Sequence, residues 1–146
     1  MRTLTVPAIR SSKLRAGCDP LVMVTAYDAP GARQAHAAGV DLILVGDTVA
    51  MVVLGYEDTL GVTVDDIAHH TAAVRRGLVA STAEGPRPLV IGDLPWMSYH
   101  TSRHDAVHNA ATLIRAGAQA VKLEGGRKRL GVIEAIVDAE IPVMGH

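Results

Sequence analysis

A short apolar run that ends beside a polar residue recurs along the chain, and this repeat constrains the fold more than any other feature. The five runs span residues 21–27, 41–45, 88–92, 120–123 and 141–144. Each run is rich in Leu or β-branched residues and nearly continuous, as expected of parallel strands that are buried on both faces. The pattern therefore predicts five strands of a parallel sheet.

Helical stretches separate the runs and carry start and stop signals of their own. Thr63 with Asp66, and Ser102 with Asp105, have the spacing of a capping box, in which two side chains satisfy backbone N–H groups at a helix start. Three glycines follow helical stretches, where a left-handed C-terminal cap is expected: Gly39, Gly77 and Gly117. These signals predict helices between the strands.

The alternation of helix and strand determines how the strands connect. Repeated units of helix, Gly or Pro, strand and polar residue imply right-handed crossovers and a parallel sheet. A β/α barrel and a doubly wound sheet share this pattern, so periodicity does not choose between them. A complete barrel needs about 250 residues, whereas this chain has 146 and stops at the end of its fifth predicted strand. We therefore expect a truncated chain or a partial gene product.

The segment before the first strand allows two interpretations. It carries no acidic residue before Asp19, and such a basic segment is compatible with a targeting peptide. Pro7, however, suits the first turn of a short helix that begins after Thr5. We predict an N-terminal helix and lead-in over residues 1–20, followed by the β/α units over residues 21–146.

Composition excludes several classes of protein. Lys and Arg together number 14 and Asp and Glu 15, so the chain has no basic field to attract nucleic acid. No apolar run approaches the roughly 18 residues that span a bilayer. The single cysteine, Cys18, cannot form an intrachain disulfide, which fits a reducing compartment. We expect a cytoplasmic protein with neither nucleic acid nor membrane as a partner.

Polar side chains stand at the predicted strand ends, where ligands bind in parallel β/α folds. They are Tyr27 with Asp28, Asp47 with Thr48, Asp93, Lys122 with Glu124, and His146. Lys122 and Glu124 are two residues apart on one strand, so both point to the same side. Asp47, Asp93 and Glu124 would repel one another, and a hard divalent cation bound by oxygen, Mg²⁺ rather than Zn²⁺, would relieve that repulsion. The alternative is that each carboxylate caps the following helix or pairs with a surface base.

Five segments of the chain resemble, in order and in register, the ketopantoate hydroxymethyltransferase family. They are VTAYDAPGARQAHAAGVDLILVGDT (24–48), GYEDTLGVTVDDIAHHTAAVRRG (55–77), DLP (93–95), AVKLEGG (120–126) and PVMGH (142–146). The resemblance implies an α/β fold of the (β/α)₈ TIM-barrel type, of which residues 21–146 would form the first five units, truncated after the fifth strand. A looser likeness, through TAYD and the strand-end Asp, extends to the phosphoenolpyruvate mutase and isocitrate lyase superfamily.

The resemblance also implies an activity. Members transfer a hydroxymethyl unit from 5,10-methylenetetrahydrofolate to 3-methyl-2-oxobutanoate and form 2-dehydropantoate for pantothenate biosynthesis, through an enolate chelated by Mg²⁺. By motif, the metal-associated acids would be Asp47, Asp93 and Glu124. The substrate-binding residues would be Asp47, Thr48, Asp93, Lys122 and His146. Members assemble as homo-oligomers, and their general base is a Glu on a later strand, so we expect no useful turnover from this chain alone.

Two other functions stay open on the sequence. The chain could belong to a related enzyme that makes or breaks a carbon–carbon bond in another 2-oxo acid. It could also be an inactive fragment that docks to a full-length subunit, because a truncated sheet leaves exposed edges that favour pairing.

Overall fold

One parallel sheet forms the centre of the computed structural model, which describes residues 4–12, 17 and 19–146. The five strands lie in the order β1-β2-β3-β4-β5. Their bounds are β1 Met23–Thr25, β2 Leu42–Val45, β3 Leu89–Asp93, β4 Ala120–Leu123 and β5 Val143–Gly145. The helices are α1 Val6–Ser12, α2 Ala29–Ala37, α3 Val49–Val52, α4 Val64–Val79, α5 Arg103–Ala116 and α6 Leu130–Asp138, with a 3₁₀ helix at Gly126–Arg129. Each strand therefore pairs with its neighbour in sequence, which is the order in a β/α barrel and not in a doubly wound sheet.

The structure confirms a strand within every predicted apolar run. The fourth strand has the predicted bounds, and the third extends one residue further, to Asp93. The first and last strands are shorter than predicted, with three residues each. These two strands are the edges of the sheet, where a strand has hydrogen-bonding neighbours on one side only.

Side chains of the central strands alternate between two apolar clusters. Ile43, Val90 and Val121 point to the face that is covered by α2, α4, α5 and α6. The intervening residues, Leu42, Leu89, Ile91 and Ala120, form a second cluster on the opposite, inner face. Alternate residues of a strand face opposite sides, so the inner face also receives Asp93 and Lys122, each two residues beyond a member of the second cluster.

Helix α1 covers one end of the inner face. Its residues Val6 and Ile9, together with Leu4, pack against the second cluster. The predicted N-terminal helix is thus present, and it begins directly after Thr5. The rest of the predicted lead-in includes residues 1–3, 13–16 and 18, which lie outside the described residues.

The helix signals in the sequence are confirmed in part. Thr63 and Asp66 form a complete capping box at the start of α4. At the start of α5 half of the predicted box is present: Ser102 accepts a hydrogen bond from the Asp105 N–H, while the Asp105 carboxylate accepts one from the Thr101 hydroxyl. Gly39 and Gly117 have positive φ angles after α2 and α5, as predicted. Gly77, in contrast, lies inside α4 and caps nothing. None of the helices in the described residues is both long and apolar enough to cross a membrane.

The prediction for Gly77 was wrong because its role is set by the packing of α2 against α4. A Cβ atom at Gly77 would lie 2.5 Å from the backbone oxygen of Ala29 and 2.6 Å from its Cα. Backbone atoms cannot rotate away as a side chain can, so only glycine permits this close approach. The sequence shows a glycine near a helix end but does not show the neighbouring helix.

Substitution of Gly77 by Ala is expected to lower the free energy of unfolding by about 2 kcal/mol, because the added methyl group pushes α4 away from α2. Urea denaturation measures this change. Gly131→Ala is the matched control, since Gly131 also lies within a helix, α6, and its close neighbours are the terminal atoms of Arg103, which can move. Equal stability of Gly77→Ala and the wild type would contradict the packing role.

Candidate functional site

The register between β3 and β4 places Asp93 opposite Lys122 on the inner face of the sheet. The Lys122 Nζ donates a hydrogen bond to the Asp93 Oδ2 at 2.7 Å. The side chains are 15% and 5% exposed, respectively, so this ion pair is largely shielded from water. Burial of both charges costs several kcal/mol of solvation energy. The pair is therefore weak evidence for stability and indicates that these two side chains have a role at this position.

The end of β2 brings Asp47 to the same carboxylate. Val45 pairs with Gly92 across the sheet, and the Asp47 N–H, two residues later, donates to the Asp93 Oδ2 at 3.3 Å. The pKa of Asp93 is raised above its usual value, mainly because the carboxyl group is buried. The hydrogen bond from Lys122 and its charge lower this pKa, and the charge of Asp47 raises it. The ionised form of Asp93 is therefore less stable here than in water. A cation bound beside Asp93 and Asp47 would stabilise the ionised form.

Glu124 and His146 form a second pair at the ends of β4 and β5. The register joins Leu123 to Gly145, and the His146 Nδ1 lies 3.1 Å from the Glu124 Oε2. Both side chains are about two-thirds exposed, at 67% for Glu124 and 64% for His146. The exposure leaves both side chains accessible to a ligand, and it means that their mutual attraction contributes little stability.

Tyr27 and Asp28, predicted at the end of the first strand, line a separate pocket. The residues predicted at the ends of the other four strands all line one cavity of about 690 Å³. They are Asp47, Thr48, Asp93, Lys122, Glu124 and His146. Thr48 precedes the short helix α3 and makes no capping hydrogen bond through its side chain, so its hydroxyl is not used by the helix. The predicted convergence at the carboxyl ends of the strands is thus a property of the structure.

The three acids that the sequence predicts as metal-associated are only partly brought together. In the part of the chain that the structure describes, no three His, Cys, Asp or Glu side chains are grouped so as to hold a metal ion. Asp47 and Asp93 are brought together, whereas Glu124 is paired with His146. The donors at Asp47 and Asp93 are carboxylate oxygens, which are the ligands that Mg²⁺ prefers. These two residues therefore fit a hard cation by their chemistry, with Glu124 on the wall of the same cavity.

Sequence reasoning missed several residues that line this cavity from segments that follow strands. Among them are Trp96, Tyr99 and His100 after β3, and Lys128 and Arg129 after β4. The Tyr99 hydroxyl accepts a hydrogen bond from the Glu124 N–H at 3.4 Å, and burial raises the pKa of Tyr99. The signal in the sequence was that these residues follow strand ends, where ligands bind. Aromatic and basic residues also occur in loops that bind no ligand, so this signal did not single them out.

Comparison with known proteins places this site in a family. The family model described as ketopantoate hydroxymethyltransferase matches residues 3–146. A curated 3-methyl-2-oxobutanoate hydroxymethyltransferase from Ignicoccus hospitalis is 53% identical over 128 residues, which cover 88% of this chain and 46% of the relative. Another, from Moorella thermoacetica, is 50% identical over 144 residues, which cover 98% of this chain and 50% of the relative. The chain thus spans about half the length of the curated relatives it matches.

Solved structures show the same fold at lower sequence identity. The chain matches a phosphoenolpyruvate phosphomutase from Streptomyces platensis subsp. rosaceus with a TM-score of 0.69 at 20% identity, over 97% of this chain and 53% of that protein. It matches 2,3-dimethylmalate lyase, a member of the PEP mutase/isocitrate lyase superfamily, with a TM-score of 0.66 at 21% identity, over 95% and 51%. The fold is therefore of the TIM-barrel type, and the chain itself belongs to the ketopantoate hydroxymethyltransferase family.

Proposed function

We propose that this chain supplies the 2-oxo-acid site of an enzyme that transfers a hydroxymethyl unit from 5,10-methylenetetrahydrofolate to 3-methyl-2-oxobutanoate. The observation that carries the proposal is the shielded pair of Lys122 and Asp93 beside Asp47, at the carboxyl ends of the central strands. The names of the curated relatives support hydroxymethyl transfer. The folate donor, the requirement for Mg²⁺ and assembly as a homo-oligomer rest on the family resemblance.

The charges around the cavity suit an anionic oxo acid. Lys122 presents an ammonium group on the inner face, where it would attract the substrate carboxylate while it remains within reach of Asp93. Asp47 and Asp93, with Glu124 as the third acid of the set, would hold Mg²⁺. When bound, Mg²⁺ would supply Lewis-acid stabilisation of the negative charge that develops as a proton leaves the carbon beside the ketone.

Other side chains of the cavity would orient the substrate. Thr48 offers a hydroxyl that its helix does not use, and His146 offers a second ring nitrogen in addition to the one beside Glu124. The branched apolar end of the substrate would contact Leu44 and Met144, which line the same cavity on the inner face. We assign no general base to this chain and expect that group from a Glu elsewhere in the whole protein.

Ligand binding can be followed through Trp96, the single tryptophan of the chain, which lines the cavity. Addition of 3-methyl-2-oxobutanoate is expected to change its fluorescence in a saturable manner, and Mg²⁺ is expected to tighten binding by about tenfold relative to EDTA. The matched control ligand is 3-methylbutanoate, which lacks the ketone and should not respond to Mg²⁺. Equal binding of both acids, with or without Mg²⁺, would rule out the proposal. Preference for oxaloacetate would favour the related carbon–carbon bond enzymes instead.

A further inference from the structure

Two basic side chains that line the cavity take no part in its side-chain ion pairs. Lys122 is paired with Asp93, and His146 with Glu124. Two further cations line the same cavity, Lys128 and Arg129. Within the described ranges 4–12, 17 and 19–146, neither has a carboxylate within 4.0 Å. Lys128 and Arg129 therefore have no ion-pair partner among the described residues, and the one unpaired acid of the lining, Asp47, is proposed to bind Mg²⁺.

A glycine turn positions the arginine of this pair. Gly125, directly after Glu124, has a φ angle of +119°, which side chains other than glycine rarely adopt. A Cβ atom there would lie 2.8 Å from the Arg129 Cγ and 3.4 Å from its Nε, so the arginine side chain lies back against the turn. Arg129 is half-buried. The pKa of His100 is lowered by burial and, to a smaller extent, by the positive charge of Arg129. The guanidinium is thus held at the cavity.

The size of the cavity leaves room for a second molecule. Its volume of about 690 Å³ lies within the range of roughly 300–1,000 Å³ that is usual for pockets of drug-sized ligands. A five-carbon oxo acid at Lys122 fills only a small part of such a volume. A folate molecule is much larger, and its glutamate tail ends in carboxylates.

We propose that Lys128 and Arg129 form a second anion subsite, which binds the glutamate carboxylates of the folate co-substrate. This inference rests on the proposed function, because it takes the folate as the second ligand of the cavity. A guanidinium binds a carboxylate through two parallel hydrogen bonds, and a neighbouring ammonium adds a point charge that tolerates variation in the length of the tail. The subsite thus anchors the end of the folate farthest from its reactive carbon.

The test compares binding of pteroylmonoglutamate and pteroyltriglutamate by isothermal titration calorimetry, with the full chain. The triglutamate is expected to bind more tightly to the wild type. In the double variant Lys128→Gln, Arg129→Gln, its affinity is expected to fall about tenfold and to lose most of its dependence on salt. Arg127→Gln is the matched control, because Arg127 belongs to the same 3₁₀ helix but does not line the cavity.

Three results would overturn this inference: no folate binding by the wild type, no loss in the double variant, or an equal loss in Arg127→Gln. Titration of the same proteins with 3-methyl-2-oxobutanoate separates the two proposals. The double variant should bind this acid within about twofold of the wild type, because Lys122 is unchanged. If binding of the oxo acid depends on Lys122 but binding of the folates is unchanged in the Lys128→Gln, Arg129→Gln variant, only the proposal of the second subsite is wrong. If the wild type does not bind the acid, the proposed function itself fails.

Discussion

Lys122→Met is expected to lower the free energy of unfolding by about 3 kcal/mol at neutral pH, since removal of one partner of a buried ion pair leaves the other charge uncompensated. The charge left behind is the Asp93 carboxylate, whose side chain is 5% exposed. Urea denaturation in EDTA measures the change without any contribution from a bound metal. The same variant should lose most of its affinity for 3-methyl-2-oxobutanoate, because the cation proposed to attract the carboxylate is gone.

The pH dependence of this loss identifies Asp93 as its origin. In the wild type burial raises the pKa of Asp93 and Lys122 opposes that shift. Without Lys122 the pKa of Asp93 should rise further above its unfolded-state value, so folding favours the protonated carboxyl. Stability is then greatest below the unfolded-state pKa and is lost as pH rises through the folded-state pKa. The deficit of Lys122→Met should therefore shrink as the pH is lowered.

Lys122→Arg is the control for this prediction, because it keeps a positive charge beside Asp93. It should retain most of the stability at neutral pH, although a guanidinium does not reproduce the geometry of an ammonium. A deficit of Lys122→Met that stays the same at every pH would show that lost packing of the lysine stem, and not the charge on Asp93, causes the destabilisation.

Asp93→Asn is expected to abolish the effect of Mg²⁺ on oxo-acid binding, which corresponds to a loss of about tenfold in affinity when Mg²⁺ is present. Asn keeps the shape of the side chain and one oxygen acceptor but removes the negative charge that the cation needs. The reduced charge also leaves the Lys122 ammonium without its carboxylate partner. Trp96 fluorescence during titration with 3-methyl-2-oxobutanoate, with Mg²⁺ and with EDTA, measures the effect.

Asp138→Asn removes the same charge from an exposed position at the end of α6 and serves as the matched control. It should bind the oxo acid as the wild type does, with the same response to Mg²⁺. Circular dichroism should show that both variants are folded at the assay temperature. If Mg²⁺ still tightens binding in Asp93→Asn as much as in the wild type, then Asp93 is not a metal-associated residue.

Local sequence patterns determined the secondary structure and the side of each strand that faces the site. Continuous apolar runs marked all five strands, of which the three central ones are largely buried and the two edge strands are more exposed. The period of two along a strand predicted that Lys122 and Glu124 point to the same side, and both line the cavity. Capping signals at Thr63 and Ser102 marked the starts of α4 and α5. All of these features depend on residues that are close in sequence.

Only the tertiary structure decided which side chains become partners. The β3–β4 register makes Asp93 the partner of Lys122, and the β4–β5 register turns Glu124 toward His146. The packing of α2 on α4 gives Gly77 its role, and the turn at Gly125 brings Arg129 to the cavity. Each of these contacts joins residues through space, or depends on a backbone turn, so its energy depends on the arrangement of whole elements and not on the local preferences that a sequence displays.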